Sequence, residues 1–309
     1  MRWNVTDRAA PKPDPSMIQT IPRPPFARLP DPETLFSDRA VRLRSLASGH
    51  GLGPYLVFLA ELVGAQHHIA AAAAAPDMPV ADALASARRH AMPPLSRGDF
   101  TPHAGTFALI DGIVEQMDLV AMPAAARTAL MRVASADAAM RREMIVNVLT
   151  DAIPFEEAAE HAYIAAAVQV GFVQRAARLD ADDLVPVADG VCPTCGSGPV
   201  ASVIVEWRRY EGTRYCACAL CGTLWNYVRA KCTLCASTQS ISFREVEGGN
   251  GAVKAEVCGQ CDGYVKVLYH GKDRQLDPVA DDVASIALDL LLKDEGLHRG
   301  AVNPFLTGY

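Results

Sequence analysis

Residues 192–195 read CPTC, and the same C-x-x-C pattern returns as CALC at 218–221, CTLC at 232–235 and CGQC at 258–261. These four pairs contain eight of the nine cysteines in the 309-residue chain. The ninth, Cys216, lies two residues before the second pair. Paired thiols concentrated in the last third of a chain indicate a metal-binding region or a redox site when the compartment is reducing.

The four pairs form an internal repeat with a period of 40 residues, because each cysteine of the first two pairs maps onto a cysteine of the last two. Within each copy, 22 residues separate the pairs, which is enough chain for two short strands and a turn. A thiolate-bound metal prefers four sulfurs at tetrahedral corners. The repeat therefore predicts two small β units, residues 187–229 and 230–278, each with its own four-cysteine site. The predicted metal ligands are Cys192, Cys195, Cys218 and Cys221 in the first unit, and Cys232, Cys235, Cys258 and Cys261 in the second.

Each C-x-x-C turn, called a knuckle below, supplies two of the four sulfurs. Gly196 and Gly222 follow the second cysteine of their knuckles, where a positive φ allows backbone N–H groups to point at sulfur. Two other arrangements stay open: the first knuckle with the third and the second with the fourth, or the middle two together. We favour pairing within each repeat, because a duplicated unit should carry a complete site. Cys216 does not fit the repeat, since the corresponding position is Glu256, and we interpret it as a spare strand residue.

Composition limits the remaining classes of function. The net charge is −6, so no polyanionic partner is expected. Aromatic and basic residues among the knuckles could still form a surface that binds nucleic acid, and this stays an alternative; they are Trp207, Arg208, Arg214 and Trp225. The N-terminus has no apolar signal-peptide core, so we expect a cytoplasmic protein without disulfides. The apolar stretch that begins YLVFLAELVGAQHH is interrupted by Glu61 and polar residues, which predicts a buried helix and no membrane insertion. A dithiol oxidoreductase is disfavoured because no single pair stands out.

The rest of the chain divides by composition. Residues 1–30 are proline-rich and predict an extended or disordered tail. Residues 31–186 are alanine-rich with helical periodicity and predict an all-helical domain, with helices at 80–91, 105–121, 123–150 and 155–180. Residues 279–309 predict a C-terminal helix and tail that pack back on the body. The predicted fold class is therefore α+β and multidomain.

Four stretches of the chain are distinctive: CPTCGSGPVAS, RYCACALCGTLWNYVRAKCTLC, LPDPETLFSDRAVRLRSLASGHGLGPYLVFLAELVGAQ and the C-terminal NPF. They resemble the FdhE family of formate dehydrogenase accessory proteins. The resemblance covers nearly the whole chain from about residue 29. It implies that the two β units are rubredoxin-like, that the eight paired cysteines bind two metal ions, and that the metal is iron, with zinc as the alternative. It also implies a non-catalytic cytoplasmic protein that binds the catalytic subunit of a respiratory formate dehydrogenase and supports its maturation.

Two other functions remain open at the level of sequence. A rubredoxin-type electron-transfer protein would use the same sulfurs around a redox-active iron. A zinc-ribbon nucleic-acid binder would show salt-sensitive binding to DNA or RNA, which the negative net charge disfavours.

Overall fold

The computed structural model describes residues 23–73 and 77–306 of the chain. It confirms the predicted α+β class, with a helical N-terminal region, a sheet region that carries the cysteines, and C-terminal helices. The helices are α1 Leu35–Ala47, α2 Gly53–Ala72, α3 Ala81–Arg89, α4 Ala104–Asp118, α5 Ala124–Ser135, α6 Ala138–Leu149, α7 Ala158–Ala176, α8 Ala280–Ala284 and α9 Ile286–Asp294.

The core of the helical domain is organised around α7, which contacts α2, α4, α5 and α6 and is buried along most of its length. Helix α2 buries Leu56, Leu59 and Leu62 in the same core. Gln66 interrupts the apolar pattern of α2, and its side-chain amide donates a hydrogen bond to Gln169 Oε1 at 2.8 Å inside this core. None of the described helices is both long and apolar enough to cross a bilayer.

Two predicted helices are each divided in the structure. The helix expected over 123–150 is divided at Asp137, whose carboxylate accepts from Ala139 N and Met140 N at 2.9 Å and caps the start of α6. The single predicted C-terminal helix is likewise broken at Ser285 into α8 and α9.

The end of the predicted tail is part of the folded body. Residues 1–22 lie outside the described residues, but Ala27–Arg28 form strand β1, which pairs antiparallel with Leu224–Trp225. The hydroxyl of Tyr215 donates to Pro25 O at 2.9 Å, and the Arg28 guanidinium lies 4.1 Å from the ring centre of Trp207. The chain therefore enters the sheet before it forms the first helix.

The strands after β1 are β2 Ala201–Ile204, β3 Arg214–Ala217, β4 Leu224–Asn226, β5 Ile241–Arg244, β6 Val253–Cys258, β7 Gly263–Tyr269 and β8 His298–Arg299. One eight-stranded sheet contains both β units, in the order β1-β4-β3-β2-β7-β6-β5 with β8 beside β7. Strands β2–β4 and their four cysteines are called the first unit below, and strands β5–β7 and theirs the second unit. The units are joined by parallel pairing of β2 with β7, in which Ala201 lies opposite Lys266.

A fully buried arginine reinforces the junction between the units. Arg214 of β3 pairs with Glu256 of β6 at 2.9 Å, although the strands belong to different units. Its Nη1 also donates to Val228 O and Lys231 O, both at 3.2 Å, in the segment that connects the units. Arg214 therefore fixes the linker and the second unit to the first.

The C-terminal segment attaches to both parts of the molecule. Arg42 on α1 makes a bidentate ion pair with Asp281 on α8, with N–O distances of 2.6 and 2.9 Å. Arg39 on the same helix pairs with Asp277 at 3.0 Å. These contacts connect the helical domain to the residues that follow the sheet.

A buried charge network connects α8 and α9 to β7. Lys266 pairs with Asp282 and Asp289, and Arg299 pairs with the same two carboxylates. The Asn303 amide donates to Asp282 Oδ2 at 2.8 Å. Burial alone would raise the pKa of Asp282, but the charges of Lys266 and Arg299 lower it. The carboxylate is therefore ionised within the protein, and the network holds the C-terminal segment in place.

Candidate metal centres

The first cluster brings together Cys192, Cys195, Cys218 and Cys221, all of them buried. Cys192 Sγ lies 3.6 Å from Cys221 Sγ, and Cys195 Sγ lies 3.4 Å from Cys218 Sγ. All four sulfurs are within 4.8 Å of one another. A tetrahedral metal with bonds of about 2.3 Å to sulfur has sulfur–sulfur edges of about 3.8 Å, so this spacing fits a single ion.

The second cluster brings together Cys232, Cys235, Cys258 and Cys261, also within 4.8 Å. Cys232 Sγ lies 3.8 Å from Cys261 Sγ, and Cys235 Sγ lies 3.6 Å from Cys258 Sγ. Each cluster therefore draws its sulfurs from one repeat, which is the arrangement that the 40-residue period favours over the two alternatives.

All four knuckles share one backbone conformation. Gly196 and Gly222 have φ values of +84° and +72°, as expected from sequence. The corresponding residues of the second unit are Ala236 and Asp262, and they also adopt positive φ, at 61° and 52°. Because such values disfavour residues with a Cβ, the second unit keeps this turn at a conformational cost.

Backbone amides point at the sulfurs, as this turn geometry allows. Cys221 N donates to Cys218 Sγ at 3.4 Å, and in the second unit Leu234 N donates to Cys232 Sγ at 3.3 Å. Such donors stabilise a thiolate. Burial, in contrast, raises the pKa of Cys192 and Cys221 well above the usual value. Burial also acts to raise the pKa of Cys218, but hydrogen bonds from the neighbouring cysteines lower it well below that value. Because four negative sulfurs at this spacing repel one another, a cation among them would stabilise the cluster.

The two clusters differ sharply in exposure. Leu95 N donates to Thr194 O and Arg97 N to Cys195 O, both at 2.9 Å, so the helical domain covers the first knuckle. In the second cluster, Cys235 is exposed and Cys261 is half-buried. The first site is thus enclosed between the helices and the sheet, whereas the second opens to solvent.

Cys216 lies outside both clusters. It occupies β3, is fully buried and has Ser202 Oγ at 3.6 Å from its sulfur. Burial raises the pKa of its thiol to about 11, which leaves it protonated and unreactive at neutral pH. Its position agrees with the interpretation as a spare strand residue.

Part of the aromatic and basic set among the knuckles is buried. Trp225, Tyr264 and Arg214 pack the cores of the β units, so these three side chains offer no surface for stacking on bases. Trp207 is half-buried and Arg208 is exposed.

Family models match three consecutive parts of the chain. The model described as "FdhE, N-terminal" covers residues 24–189, "FdhE, central domain" covers 191–229, and "FdhE, C-terminal domain" covers 230–306. The middle model ends and the last begins at the junction between the two four-cysteine clusters.

Known proteins match over nearly their whole length. A protein FdhE homolog of Rhizobium meliloti is 44% identical over 300 residues, covering 96% of this chain and 98% of the relative. A protein FdhE homolog of Stutzerimonas stutzeri is 34% identical, with 92% and 93% coverage. The crystal structure of the FdhE protein from Pseudomonas aeruginosa superposes with a TM-score of 0.83 and 31% identity, covering 92% of this chain and 99% of that one. Sequence, fold and the paired four-cysteine clusters agree, and the chain belongs to the FdhE family.

Proposed function

We propose that this protein is a cytoplasmic accessory factor that binds the catalytic subunit of a respiratory formate dehydrogenase and supports its maturation, without oxidising formate itself. The observation that carries this proposal is family membership over the whole described chain, with both four-cysteine clusters intact. The clusters also argue against metal-dependent hydrolysis at these sites. Four thiolates complete the coordination of a tetrahedral ion and leave no position for substrate.

The proposed metal is iron, one ion in each cluster, with all eight paired cysteines as ligands. The thiolate donor set suits iron and zinc equally, so spectroscopy has to distinguish them. Iron in four-thiolate sites absorbs visible light and accepts one electron reversibly, whereas zinc is colourless and does not change oxidation state. We expect red protein with two iron ions per chain from cells grown without added zinc. Colourless protein with two zinc ions would overturn the iron assignment and leave the ligand assignment standing.

The association is tested in cells that make the formate dehydrogenase. A tagged copy of this protein is purified and examined for the catalytic subunit, and enzyme activity is measured in a strain that lacks the gene. We expect co-purification in the first experiment and loss of formate dehydrogenase activity in the second. Normal activity in the deletion strain without any association would refute the proposed role.

A rubredoxin-type electron-transfer protein remains a second candidate, because the second cluster has solvent-exposed Cys235 and half-buried Cys261. A redox partner can approach such a site closely. This function predicts a reversible one-electron potential at the second site and normal formate dehydrogenase assembly in the deletion strain. The same deletion strain therefore distinguishes the two functions.

The difference in exposure predicts that the two metals leave at different rates. We expect EDTA added to the native protein to remove the second-site metal first, because a chelator reaches Cys235 without unfolding of the chain. The first-site metal should persist until the helical domain and sheet separate. The measurement is the metal content of desalted samples over time. Release of both metals at one rate would show that exposure does not control their loss.

A further inference from the structure

A cavity of about 500 Å³ lies in the helical domain between α2, α4 and α7. Much of its wall is apolar and includes Ile69, Leu109 and Phe172. A neighbouring groove of about 600 Å³ shares Phe100 and Phe172 with it. Polar side chains such as Glu115 and Gln116 complete the wall. Volumes of this size are typical of small-molecule sites.

Arg175 lies where the cavity and the groove meet. It is half-buried, and its Nε is enclosed without a hydrogen-bond partner among the described residues. Its guanidinium lies 4.8 Å from the ring centre of Phe100, and it makes no ion pair within the described ranges. Burial lowers the pKa of Arg175, and the charge of exposed Asp77 at the rim offsets this only in part. A half-buried guanidinium without an ion-pair partner favours an anion.

His103 faces Arg175 through a close contact between two nitrogen atoms. Gly105 N donates to His103 Nδ1 at 3.2 Å, which fixes the ring as the cap of α4. On the opposite side of the ring, Arg175 Nη2 lies 2.6 Å from Nε2. A neutral imidazole has one acceptor nitrogen, and a protonated one has none. In every protonation state, therefore, at least one of these two N–H donors faces another N–H group.

The geometry points to a binding site for the carboxylate of a small organic acid, bound by Arg175 and His103 with its apolar body in the cavity. The carboxylate replaces the direct contact between the two side chains, which move apart so that its oxygens accept from Arg175 and from His103 Nε2–H, while Nδ1 keeps its bond from Gly105. This resolves the conflict between donors and supplies the missing counter-charge. Asp77 and Glu115 also line the cavity, so one negative charge suits it better than the two of a phosphate.

Phenylacetate is a suitable probe, and phenylacetamide is its neutral isostere. Each is titrated into the full-length metal-loaded protein by calorimetry, with chemical shifts of the arginine Nε–H groups as a second readout. We expect phenylacetate to bind with a dissociation constant of about 1 mM and to shift the Arg175 resonance. Phenylacetamide and inorganic phosphate should bind at least about tenfold more weakly.

Substitutions then assign the site. Arg175→Gln should weaken phenylacetate binding at least about tenfold, and His103→Gln should weaken it less. Arg178→Gln is the matched control, because Arg178 is exposed on the turn that follows α7 and lies outside this cavity. Equal binding of acid and amide, tighter binding of phosphate, no binding of phenylacetate, or full affinity in Arg175→Gln would each overturn the proposal. Metal content and partner association do not enter this test, so it is independent of the proposed function.

Discussion

We expect simultaneous replacement of Cys192 and Cys195 by serine to prevent stable folding of the whole protein. The four cysteines of the first cluster belong to the same continuous core as α1, α2 and α7. A structural metal contributes about 10–16 kcal/mol of binding free energy in small zinc domains, which is comparable to the whole stability of a typical protein. Losing that ion and leaving two buried thiols without partners should abolish the cooperative unfolding transition, as measured by circular dichroism.

The equivalent change in the second cluster provides the comparison. Cys235→Ser with Cys261→Ser should lose one metal per chain and retain the helical signal, because these two side chains are exposed and half-buried. Cys216→Ala is the control, since it removes a buried thiol that is not a ligand, and it should retain both metals. If the Cys192→Ser, Cys195→Ser variant instead melted like the parent protein, the first metal would have no structural role.

Arg214→Met should destabilise the protein by about 3–5 kcal/mol, because it leaves the Glu256 carboxylate buried without a partner. The methionine also loses the hydrogen bonds to Val228 O and Lys231 O, so the linker between the units loosens. Burial raises the pKa of Glu256 even though the charge of Arg214 lowers it. The charge of Arg214 therefore offsets the desolvation of the Glu256 carboxylate incompletely, and we expect the pair to contribute more to how the units join than to overall stability.

A double substitution separates the effect of losing the linker hydrogen bonds from the destabilisation caused by a buried carboxylate without a partner. Arg214→Met with Glu256→Leu should recover most of the lost stability, since an apolar pair of similar volume avoids the buried carboxylate. Urea unfolding of metal-saturated protein measures both variants, with Arg208→Met as the exposed control. Equal destabilisation of the single and double variants would show that the linker hydrogen bonds, and not the stranded carboxylate, dominate.

The cysteine spacing predicted which cysteines lie together, because the information is local. A knuckle needs two cysteines three positions apart, and the 40-residue period then pairs the knuckles without knowledge of the sheet. The division at Asp137 was also encoded locally, since aspartate is a favoured helix cap, but the continuous alanine-rich pattern around it concealed the signal.

The connections across the sheet could not be predicted in the same way. Strand β1 has two residues and β4 has three, which is too short for any alternation of polar and apolar residues. The parallel pairing of β2 with β7 depends on contacts between distant segments. Charged residues such as Arg214, Lys266 and Asp282 are expected at the surface when only the sequence is known. The folded structure shows that each is buried next to a residue of opposite charge.

The parallel pairing between β2 and β7 also sets an order for assembly during translation. The first cluster has all its sulfurs once Cys221 has left the ribosome, so its ion can bind while the rest of the chain is still being made. At that stage β2 has its antiparallel neighbour β3, but its other edge stays open until β7 emerges. A nascent chain that ends before Gly263 therefore has the first cluster complete beside an unpaired strand edge, and such edges promote aggregation until they are covered.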